Sequence, residues 1–363
     1  MVTSSDLQCG FEELSAKLRR SVKLDHLLSL TDHNALLQHA KFSVPARREG
    51  YTVDDNARAL VFAVKAAHFW PTEISDELQR KLISFLLLMQ AEDGRFHNLM
   101  DFSHRIVDKP TVGDHVGRAI WAAGTVVNSD LSDGVRASAR LMFDRALPWV
   151  RESTSPRTKA YACLALHERL HAEPGDSNLR ANLKLIADEL VRLYEKSRAS
   201  DWEWFEDILT YENARLSHAL FAAHQLLGER AYLSVAATTF QFLIKTETID
   251  GTYVPIGNRG WYPRAGIRAL YDQQAIEPGA MVEAAALAYN LTGSRIYEEG
   301  LRRALGWFLG LNTKSAGVYD YSTGACYDGI NPKGLNENQG AESTLAFLLA
   351  TNAFIHSFSQ KET

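Results

Sequence analysis

The chain has 363 residues, of which 46% are hydrophobic, 23% charged and 10% aromatic. This balance is typical of a globular protein and excludes a disordered chain, a collagen-like fibre and a small disulfide scaffold. Lys and Arg number 39 against 44 Asp and Glu, a formal net charge of −5, which argues against nucleic acid as a partner.

The N-terminal segment and the cysteines indicate a cytoplasmic protein. The first residues contain no apolar core of a signal peptide, and the longest apolar stretches, such as Ile83–Met89, are too short to span a bilayer. Cys9, Cys163 and Cys326 are far apart and show no metal-ligand spacing. We therefore expect reduced thiols, no membrane partner, no metal and no cofactor.

Apolar residues recur at helical spacing along almost the whole chain. The pattern runs from Ala57-Leu60-Val61-Val64 to Leu345-Leu348-Leu349, and no convincing alternating stretch interrupts it. This periodicity predicts an all-α protein.

The predicted helices form pairs, and one helix of each pair opens in a similar way. These openings lie near residues 54, 114, 156, 212, 277 and 342, an average spacing of about 58 residues. Most lead into small-residue helices that look buried, and more charged helices follow. Helix-pair solenoids have shorter periods, of about 34 to 47 residues. We therefore predict an (α/α)6 barrel, a single domain over residues 1–363, rather than a solenoid.

Residues 1–30 are expected to supply an N-terminal helix, at about 11–30, that packs on the barrel and completes its outer ring. In this arrangement the long loops all precede inner helices, so they gather on one face. They are rich in Gly, Trp, Tyr, Asn and Asp, which suit a carbohydrate site because aromatic rings cover sugar rings while polar groups bind hydroxyls. The same residues are also ordinary turn formers.

The candidate substrate-binding residues come from these loops and from the helix openings. They are Tyr51, Arg58, His97, Asp114, His115, Trp202, Trp204, Tyr211, Glu212, Asn213, Arg259, Trp261, Tyr262, Glu277, Tyr319, Asn338 and Gln339.

Acidic residues at the same openings are the candidates for catalysis. The adjacent acids Asp54 and Asp55 exceed what one helix cap requires, and Glu206 and Asp207 form a second pair among aromatic residues. Capping is the alternative interpretation, especially for Asp54, Asp114 and Glu277.

Glycoside cleavage needs one protonated and one ionised carboxyl group, about 6.5–9.5 Å apart in an inverting hydrolase. A phosphorylase replaces the water with phosphate and keeps only the acid. Asp55 with Asp207 or Glu206 is the first candidate pair, and Glu342 follows.

Histidines offer a competing chemistry. His97, His104, His115 and His218 could lie near the same mouth, and sugar epimerases on this barrel use histidine pairs to move a proton next to a carbonyl. His218 lies in an apolar helix and is better explained as a core residue. No zinc spacing and no nucleotide-binding glycine motif is present.

Three sequence segments resemble those of a known superfamily. They are 50–60 (GYTVDDNARAL), 204–207 (WFED) with 209–216 (LTYENARL), and 338–344 (NQGAEST). With them the chain resembles the six-hairpin glycosidase-like (α/α)6 proteins, and within these an uncharacterised bacterial branch associated with sugar-nucleotide glycosyltransferases. The resemblance spans about residues 40–355. It implies a bacterial, cytoplasmic barrel with a carbohydrate-related function. It does not indicate which residues of this chain would form a catalytic pair.

The predicted function is an inverting glycoside hydrolase or a glycoside phosphorylase. Its partners would be an oligosaccharide or glycoconjugate, inorganic phosphate and, functionally, a glycosyltransferase. Two alternatives stay open: a sugar epimerase or isomerase that uses histidines, and a non-catalytic glycan-binding barrel that assists a glycosyltransferase. The non-catalytic barrel would keep the aromatic residues and tolerate loss of Asp55 and Asp207.

Overall fold

The computed structural model describes residues 1–358. This part of the chain contains thirteen α-helices, as the periodicity predicts. They are α1 Phe11–Ser21, α2 Asp25–Leu30, α3 Val53–Ala66, α4 Asp76–Met89, α5 Asp114–Val127, α6 Asp133–Glu152, α7 Pro156–Ala172, α8 Ser177–Ser197, α9 Ala214–Leu227, α10 Arg230–Thr246, α11 Ile276–Thr292, α12 Arg295–Phe308 and α13 Ala341–Phe358.

Six helices form a closed inner ring. Helix α3 contacts α5, α5 contacts α7, and the series continues through α9, α11 and α13, which returns to α3. An open solenoid has no contact between its first and last repeats, so the contact between α13 and α3 identifies the fold as an (α/α)6 barrel.

Each inner helix has an outer partner. Helices α4, α6, α8, α10 and α12 pack on α3, α5, α7, α9 and α11, respectively, and α1 lies against α13. The expected single N-terminal helix at about 11–30 is instead two helices, α1 and α2, because the chain is extended at Val22. The ring of Phe11, at the start of α1, meets Phe354 and Phe358 of α13.

Small residues let the inner helices approach each other closely. A Cβ atom built on Gly124 of α5 would lie 2.5 Å from the carbonyl oxygen of Ala165 in α7, and one built on Gly117 would lie 3.0 Å from Tyr161 Cβ. These contacts explain why the inner helices are rich in Ala and Gly, because a larger residue would force the two backbones apart.

The long connections all lead from an outer helix to the next inner helix, as the sequence predicts. Residues 1–358 contain twelve two-residue strands, which form six antiparallel pairs within and between these loops. The pairs are β1 Ala40–Lys41 with β2 Val44–Pro45, β3 Tyr51–Thr52 with β4 Leu99–Met100, β5 Ile208–Leu209 with β8 Tyr262–Pro263, β6 Thr248–Ile249 with β7 Thr252–Tyr253, β9 Tyr319–Asp320 with β10 Ala325–Cys326, and β11 Ile330–Asn331 with β12 Gly334–Leu335.

Residues other than the acids cap the inner helices. The Thr52 hydroxyl accepts a hydrogen bond from the backbone N–H of Asp55 at the start of α3, and the Ser155 hydroxyl accepts one from that of Thr158 at the start of α7. Gly113 precedes α5, so Asp114 lies inside the first turn. The acids at these openings are therefore not required as N-caps.

Candidate active site

A cavity of about 500 Å³ lies where the inner helices begin. Nine residues from the openings of α3, α5, α7, α9 and α13 line it. They are Asp54, Arg58, Gly113, Asp114, His115, Arg118, Ser155, Tyr211 and Glu342.

Two arginines that line this cavity bind a buried glutamate behind them. Arg118 donates a hydrogen bond to Glu212 Oε2, and Arg58 Nη2 lies 3.7 Å from the same oxygen. The Tyr161 hydroxyl donates to Glu212 Oε1. Burial alone would raise the pKa of Glu212, but the charges of Arg118 and Arg58 outweigh it and hold the pKa well below its usual range.

Asp54 stays ionised through the same arginines. Arg118 donates to Asp54 Oδ1, and the Asn98 side-chain amide donates to Oδ2 at 3.1 Å. Burial opposes ionisation, but the positive charges of Arg118 and Arg58 lower the pKa of Asp54 below its ordinary value. Asp54 therefore presents a carboxylate to the cavity at neutral pH.

The pKa of Glu342 is shifted in the opposite direction to that of Asp54. Its carboxylate lies 3.4 Å from Arg58 Nη2, and 40% of its side chain is accessible at the cavity edge. Desolvation raises the pKa of Glu342 to about 7 despite the charge of Arg58, and the neighbouring Asp55 adds to the rise. A carboxyl group of this kind holds a proton for much of the time at neutral pH.

Asp114 is fully engaged by hydroxyl groups. Its Oδ1 accepts from Ser155 at 2.6 Å and from Thr158 at 2.7 Å, and its Oδ2 accepts from the Tyr211 hydroxyl. Arg157 lies over the Tyr211 ring, 4.7 Å from its centroid. This network holds Tyr211 against the cavity and fixes the orientation of the Asp114 carboxyl group.

His115 is the one histidine that lines this cavity among residues 1–358. Its Nε2 lies 3.3 Å from the Phe96 carbonyl oxygen and 3.5 Å from the Thr111 hydroxyl. His97 lies outside the cavity, where its Nδ1 meets the Asp108 carbonyl oxygen at 2.9 Å. His218 is well inside α9, and His104 lies at a separate surface position near His33. The cavity thus holds no histidine pair.

The backbone at Glu212 is held by a second buried acid. Glu212 has a φ of 46°, a left-handed conformation that costs free energy for a residue other than glycine. Its N–H donates to Glu277 Oε1, and the Asn213 side-chain amide donates to Glu277 Oε2 at 3.0 Å. Burial, together with the charge of nearby Glu247, raises the pKa of Glu277 well above its usual range.

A second cavity of about 350 Å³ shares one lining residue, Glu342, with the first. Six Asn and Gln residues and three acidic residues, Asp272, Asp328 and Glu342, are among its fourteen lining residues. The lining residues other than Glu342 are Gln38, His39, Asn258, Asp272, Gln273, Gln274, Asp328, Gly329, Ile330, Asn331, Asn336, Gly340 and Ser343.

The structure brings together many of the residues that the sequence suggested. Six candidates line the first cavity directly, and three more support it from behind. The six are Asp54, Arg58, Asp114, His115, Tyr211 and Glu342, and the three are Glu212, Asn213 and Glu277.

The first candidate acid pair does not meet in the cavity. Asp55 points into the wall, where it accepts from the Thr52 hydroxyl at 2.7 Å; burial raises its pKa, partly offset by Arg58. Glu206 pairs with Arg157 at 2.8 Å. Asp207 is 81% exposed and lies 3.4 Å from Arg264 on the surface. The structure therefore does not bring Asp55 together with Asp207 or Glu206 in the lining of this cavity.

Most of the candidate aromatic residues pack in the interior. Trp202 is 3% exposed and Trp204 fully buried, and both rings contact Phe242. Tyr262 packs against Trp202. Trp261 stays near the site, with its ring centroid 6.2 Å from that of Tyr211. The aromatic residues of these loops therefore contribute mainly to core packing, and few of them are available to bind a sugar.

The remaining candidates also have structural partners. The Tyr51 hydroxyl donates to Asp32 at 2.6 Å, and the Tyr319 ring stacks on Phe347 at 4.0 Å. Three polar candidates contact other segments of the chain instead of lining either cavity. Asn338 accepts from the Phe42 N–H at 3.0 Å, the Gln339 carbonyl oxygen meets His26 Nε2 at 2.7 Å, and the exposed Arg259 pairs with Asp272 at 3.2 Å.

Sequence reasoning missed Arg118, although a signal for it exists. Asp54 and Arg58 are four residues apart at one opening, and Asp114 and Arg118 repeat this spacing at the next. Residues four apart lie on one helix face, so the repeat places two arginines toward the axis. No local sequence pattern indicates His39 or Gln274 of the second cavity, because both lie in irregular segments.

Residues 1–358 contain no group of three or more His, Cys, Asp or Glu side chains arranged to hold a metal ion. None of their helices is both long and apolar enough to cross a membrane.

No protein-family model matches the sequence, and no curated protein sequence matches it. Solved structures do share its fold. A sugar epimerase from a ruminal bacterium superposes with a TM-score of 0.74 at 13% identity, over 94% of this chain and 98% of that one. A D-mannose isomerase gives 0.72 at 15% identity, over 98% and 100%. An α-1,6-mannanase of Salegentibacter sp. gives 0.65 at 12% identity, over 96% and 100%. The chain thus shares the (α/α)6-barrel fold of these structures.

Proposed function

We propose that this protein is a carbohydrate-active enzyme that cleaves a glycosidic bond, with Glu342 as the acid and Asp54 as the ionised carboxylate. The observation that carries the proposal is that these two groups line one cavity while their pKa values are shifted in opposite directions. Two carboxyl groups whose environments separate their pKa values are the requirement for glycoside cleavage.

The proposed reaction has a defined course for each proton. Glu342 donates its proton to the glycosidic oxygen as the bond from that oxygen to the anomeric carbon breaks. A water molecule attacks the same carbon from the opposite face, and Asp54 accepts the proton that the water loses. Arg118 keeps Asp54 ionised, and product release is followed by return of the proton to Glu342.

Phosphorolysis is the close variant of this reaction. If phosphate replaces water, it attacks the anomeric carbon as an anion, so only the acid Glu342 is needed. Replacing Asp54 with asparagine therefore distinguishes the two reactions, because it removes the base from hydrolysis and leaves phosphorolysis its acid.

The solved structures support a carbohydrate substrate, but they do not distinguish glycoside cleavage from epimerisation or isomerisation. They include sugar epimerases and isomerases as well as a mannanase. An inactive variant of that mannanase, with asparagine at two consecutive aspartates, holds α-1,6-mannotriose. The present chain also has consecutive acids, but the cavity receives Asp54 and not Asp55. The first cavity holds one histidine, His115, and the adjoining second cavity holds His39, so an epimerase that uses two histidines stays the alternative.

The test is turnover of an oligosaccharide panel, with and without phosphate, followed by NMR of the product anomer. We expect inversion of the anomeric configuration in the wild type. Asp54→Asn should lower hydrolysis at least 100-fold, whereas the matched control Asp201→Asn, at an exposed loop residue, should not change it. Saccharide binding without turnover would instead favour the non-catalytic barrel. Epimerised sugar as the product would reject the proposal. Cytoplasmic location and a link to a glycosyltransferase stay predictions.

A further inference from the structure

Two histidines of α7 lie toward the end of the barrel opposite the first cavity. We propose that His167 and His171, together with Gln225 of α9, form a binding site for a zinc ion. His167 is about 16 Å along the helix axis from Pro156, where α7 begins beside the first cavity. The inference therefore goes beyond the proposed function and does not depend on it.

The two histidines belong to segment 167–171 (HERLH) of α7. Residues four apart lie on one helix face, and the pattern H-E-x-x-H on a helix places two imidazoles so that they can bind the same zinc ion. The sequence expectation of no zinc spacing did not take this segment into account. A pattern of this length also occurs by chance, so the positions of the side-chain atoms decide whether it forms a site.

The structure brings three potential metal ligands together. His171 Nε2 lies 3.2 Å from His167 Nε2, and Gln225 Oε1 lies 2.8 Å from the same nitrogen. In a tetrahedral zinc site with bonds of about 2.0–2.1 Å, two ligand nitrogens stand about 3.3 Å apart. The two imidazoles already have nearly this separation, and the amide oxygen would reach it by a shift of about half an ångström.

Hydrogen bonding alone does not account for this arrangement. A ring nitrogen of imidazole carries either one hydrogen or one lone pair. His167 Nε2 can therefore form one full hydrogen bond, with Gln225 or with His171, but not with both. A cation that accepts a lone pair from each of the three atoms satisfies all of them at once.

The charged groups around the pair are compatible with a bound cation. Lys65 and Glu168 act on His167 with opposite signs, and they pair with each other at 2.5 Å. Arg169, which lies between the two histidines in the sequence, pairs with Asp144 of α6 at 3.1 Å. The two histidines also lie near the C-terminal end of α7, where the helix dipole favours positive charge.

The glutamate of the pattern has partners of its own. Glu168 is buried, accepts from the Asn128 side-chain amide at 2.9 Å, and pairs with Lys65. In hydrolases with the H-E-x-x-H pattern, this glutamate is the general base that activates a metal-bound water. Here Glu168 is directed to Lys65 of α3 and to Asn128 after α5. The structure therefore favours an ion that joins α7 to α9 over one that activates a water.

The site is open to solvent on one side. His171 and Gln225 are exposed, and His167 is half-buried. An ion can therefore enter without opening the barrel, and water can complete its coordination. The ligands come from two helices that pack side by side in the inner ring. One ligand is an amide, so the set is distinct from a group of three His, Cys, Asp or Glu side chains.

The experiment is a calorimetric titration of the full chain with zinc chloride, without a histidine tag and after removal of metals by a chelator. We expect one zinc ion per chain with a Kd below about 100 µM, and no binding of magnesium, which prefers oxygen ligands. His171→Ala and His167→Gln should each weaken zinc binding by about ten-fold or more. Gln225→Ala should weaken it by about three-fold or more.

Thermal melting gives a second readout. Because the ion would bind only the folded chain, saturating zinc should raise the Tm of the wild type and leave that of His171→Ala unchanged. In the presence of chelator, His171→Ala should melt at the wild-type temperature, since His171 is exposed. This agreement would show that lost binding is not lost folding.

His104→Ala and Gln241→Ala are the matched controls. His104 is exposed and its ring centroid lies 5.2 Å from that of His33, but the two are not four apart on a helix. Gln241 is exposed on α10. Neither control should change zinc binding. A wild type that does not bind zinc would overturn the site, as would equal weakening by His104→Ala and His171→Ala.

Discussion

Arg118 and Glu212 form an ion pair inside the barrel, although they come from different repeats. Arg118 donates from Nη2 to Glu212 Oε2, and the two side chains are 5% and 2% exposed. Arg118 also binds Asp54, and Glu212 lies near Arg58. The pair thus links the ionised carboxylate of the cavity to the arginine beside Glu342, so its loss should affect both stability and the site.

The first prediction concerns the energy of this pair. Glu212→Gln and Arg118→Met should each lower the free energy of unfolding by about 3 kcal/mol, because each removes one charge from a buried network whose remaining groups keep only part of their partners. The double variant should lose less than the sum. Urea denaturation measures all three. Breaking the exposed pair of Arg303 and Glu299 by Arg303→Met should cost less than about 1 kcal/mol, and equal losses at both pairs would contradict the prediction.

The second prediction concerns the pH dependence of turnover. Glu342 acts as an acid, so only its protonated form is active. With a pKa of about 7, kcat/KM should fall as the pH rises through 7. Glu342→Gln should lower kcat/KM at least 100-fold, since it removes the proton donor. Glu337→Gln, at an exposed position in the loop before α13, is the matched control. A wild-type profile that is flat from pH 6 to 8.5 would reject Glu342 as the acid.

The third prediction uses a buried acid outside the cavity. Glu247 is fully buried, accepts from the Tyr253 hydroxyl at 2.7 Å, and burial raises its pKa from 4.5 to about 7. The folded state therefore binds the proton more tightly, so this stability is present below pH 4.5 and is lost as the pH rises through 7. The slope is up to about 1.4 kcal/mol per pH unit.

Urea denaturation of Glu247→Gln at pH 5 and pH 8 checks this. The variant cannot ionise, so its stability relative to the wild type should be higher at pH 8 than at pH 5. The exposed control Glu152→Gln should show the same difference from the wild type at both pH values. A constant difference for Glu247→Gln as well would show that Glu247 does not titrate in this range.

The fourth prediction concerns His218, for which stability should change with pH in the opposite direction. Burial, helped by the charge of Arg215, holds the pKa of His218 well below 6.5, and Arg215 donates to its Nδ1 at 3.2 Å. The unfolded state then binds the proton more tightly, so stability is full above pH 6.5 and falls as the pH drops below it. His218→Gln should reduce the loss of stability between pH 7.5 and 5.5, and exposed His33→Gln should not. Parallel pH profiles for both variants would contradict the role of His218.

The fifth prediction compares two helical glycines. Gly124→Ala should destabilise the barrel by about 2 kcal/mol or more, because the new Cβ would lie 2.5 Å from the Ala165 carbonyl oxygen. Gly134→Ala, in the first turn of α6 with nothing within 4 Å, should be neutral or stabilise by up to about 1 kcal/mol. Calorimetric melting of both variants measures the difference, and a stable Gly124→Ala would mean that α5 and α7 can separate at no cost.

The sequence predicted the barrel because helical periodicity is a local property. The openings expected near residues 54, 114, 156, 212, 277 and 342 lie within two residues of the observed inner-helix starts. The site was harder to predict, because side-chain direction in a loop depends on distant partners. Trp202 and Trp204 looked like sugar-binding residues, yet both pack on Phe242 from the neighbouring α10.

The sequence by itself determined the helices, their pairing and the gathering of the long loops at one end, since each follows from spacing along the chain. Only the tertiary structure decided which acids face the cavity. Asp54 and Asp55 are adjacent, but successive helical residues point about 100° apart, so one meets Arg118 and the other Thr52. The pKa values of Asp54 and Glu342 were likewise set by arginines from other repeats and by burial, which no local pattern encodes.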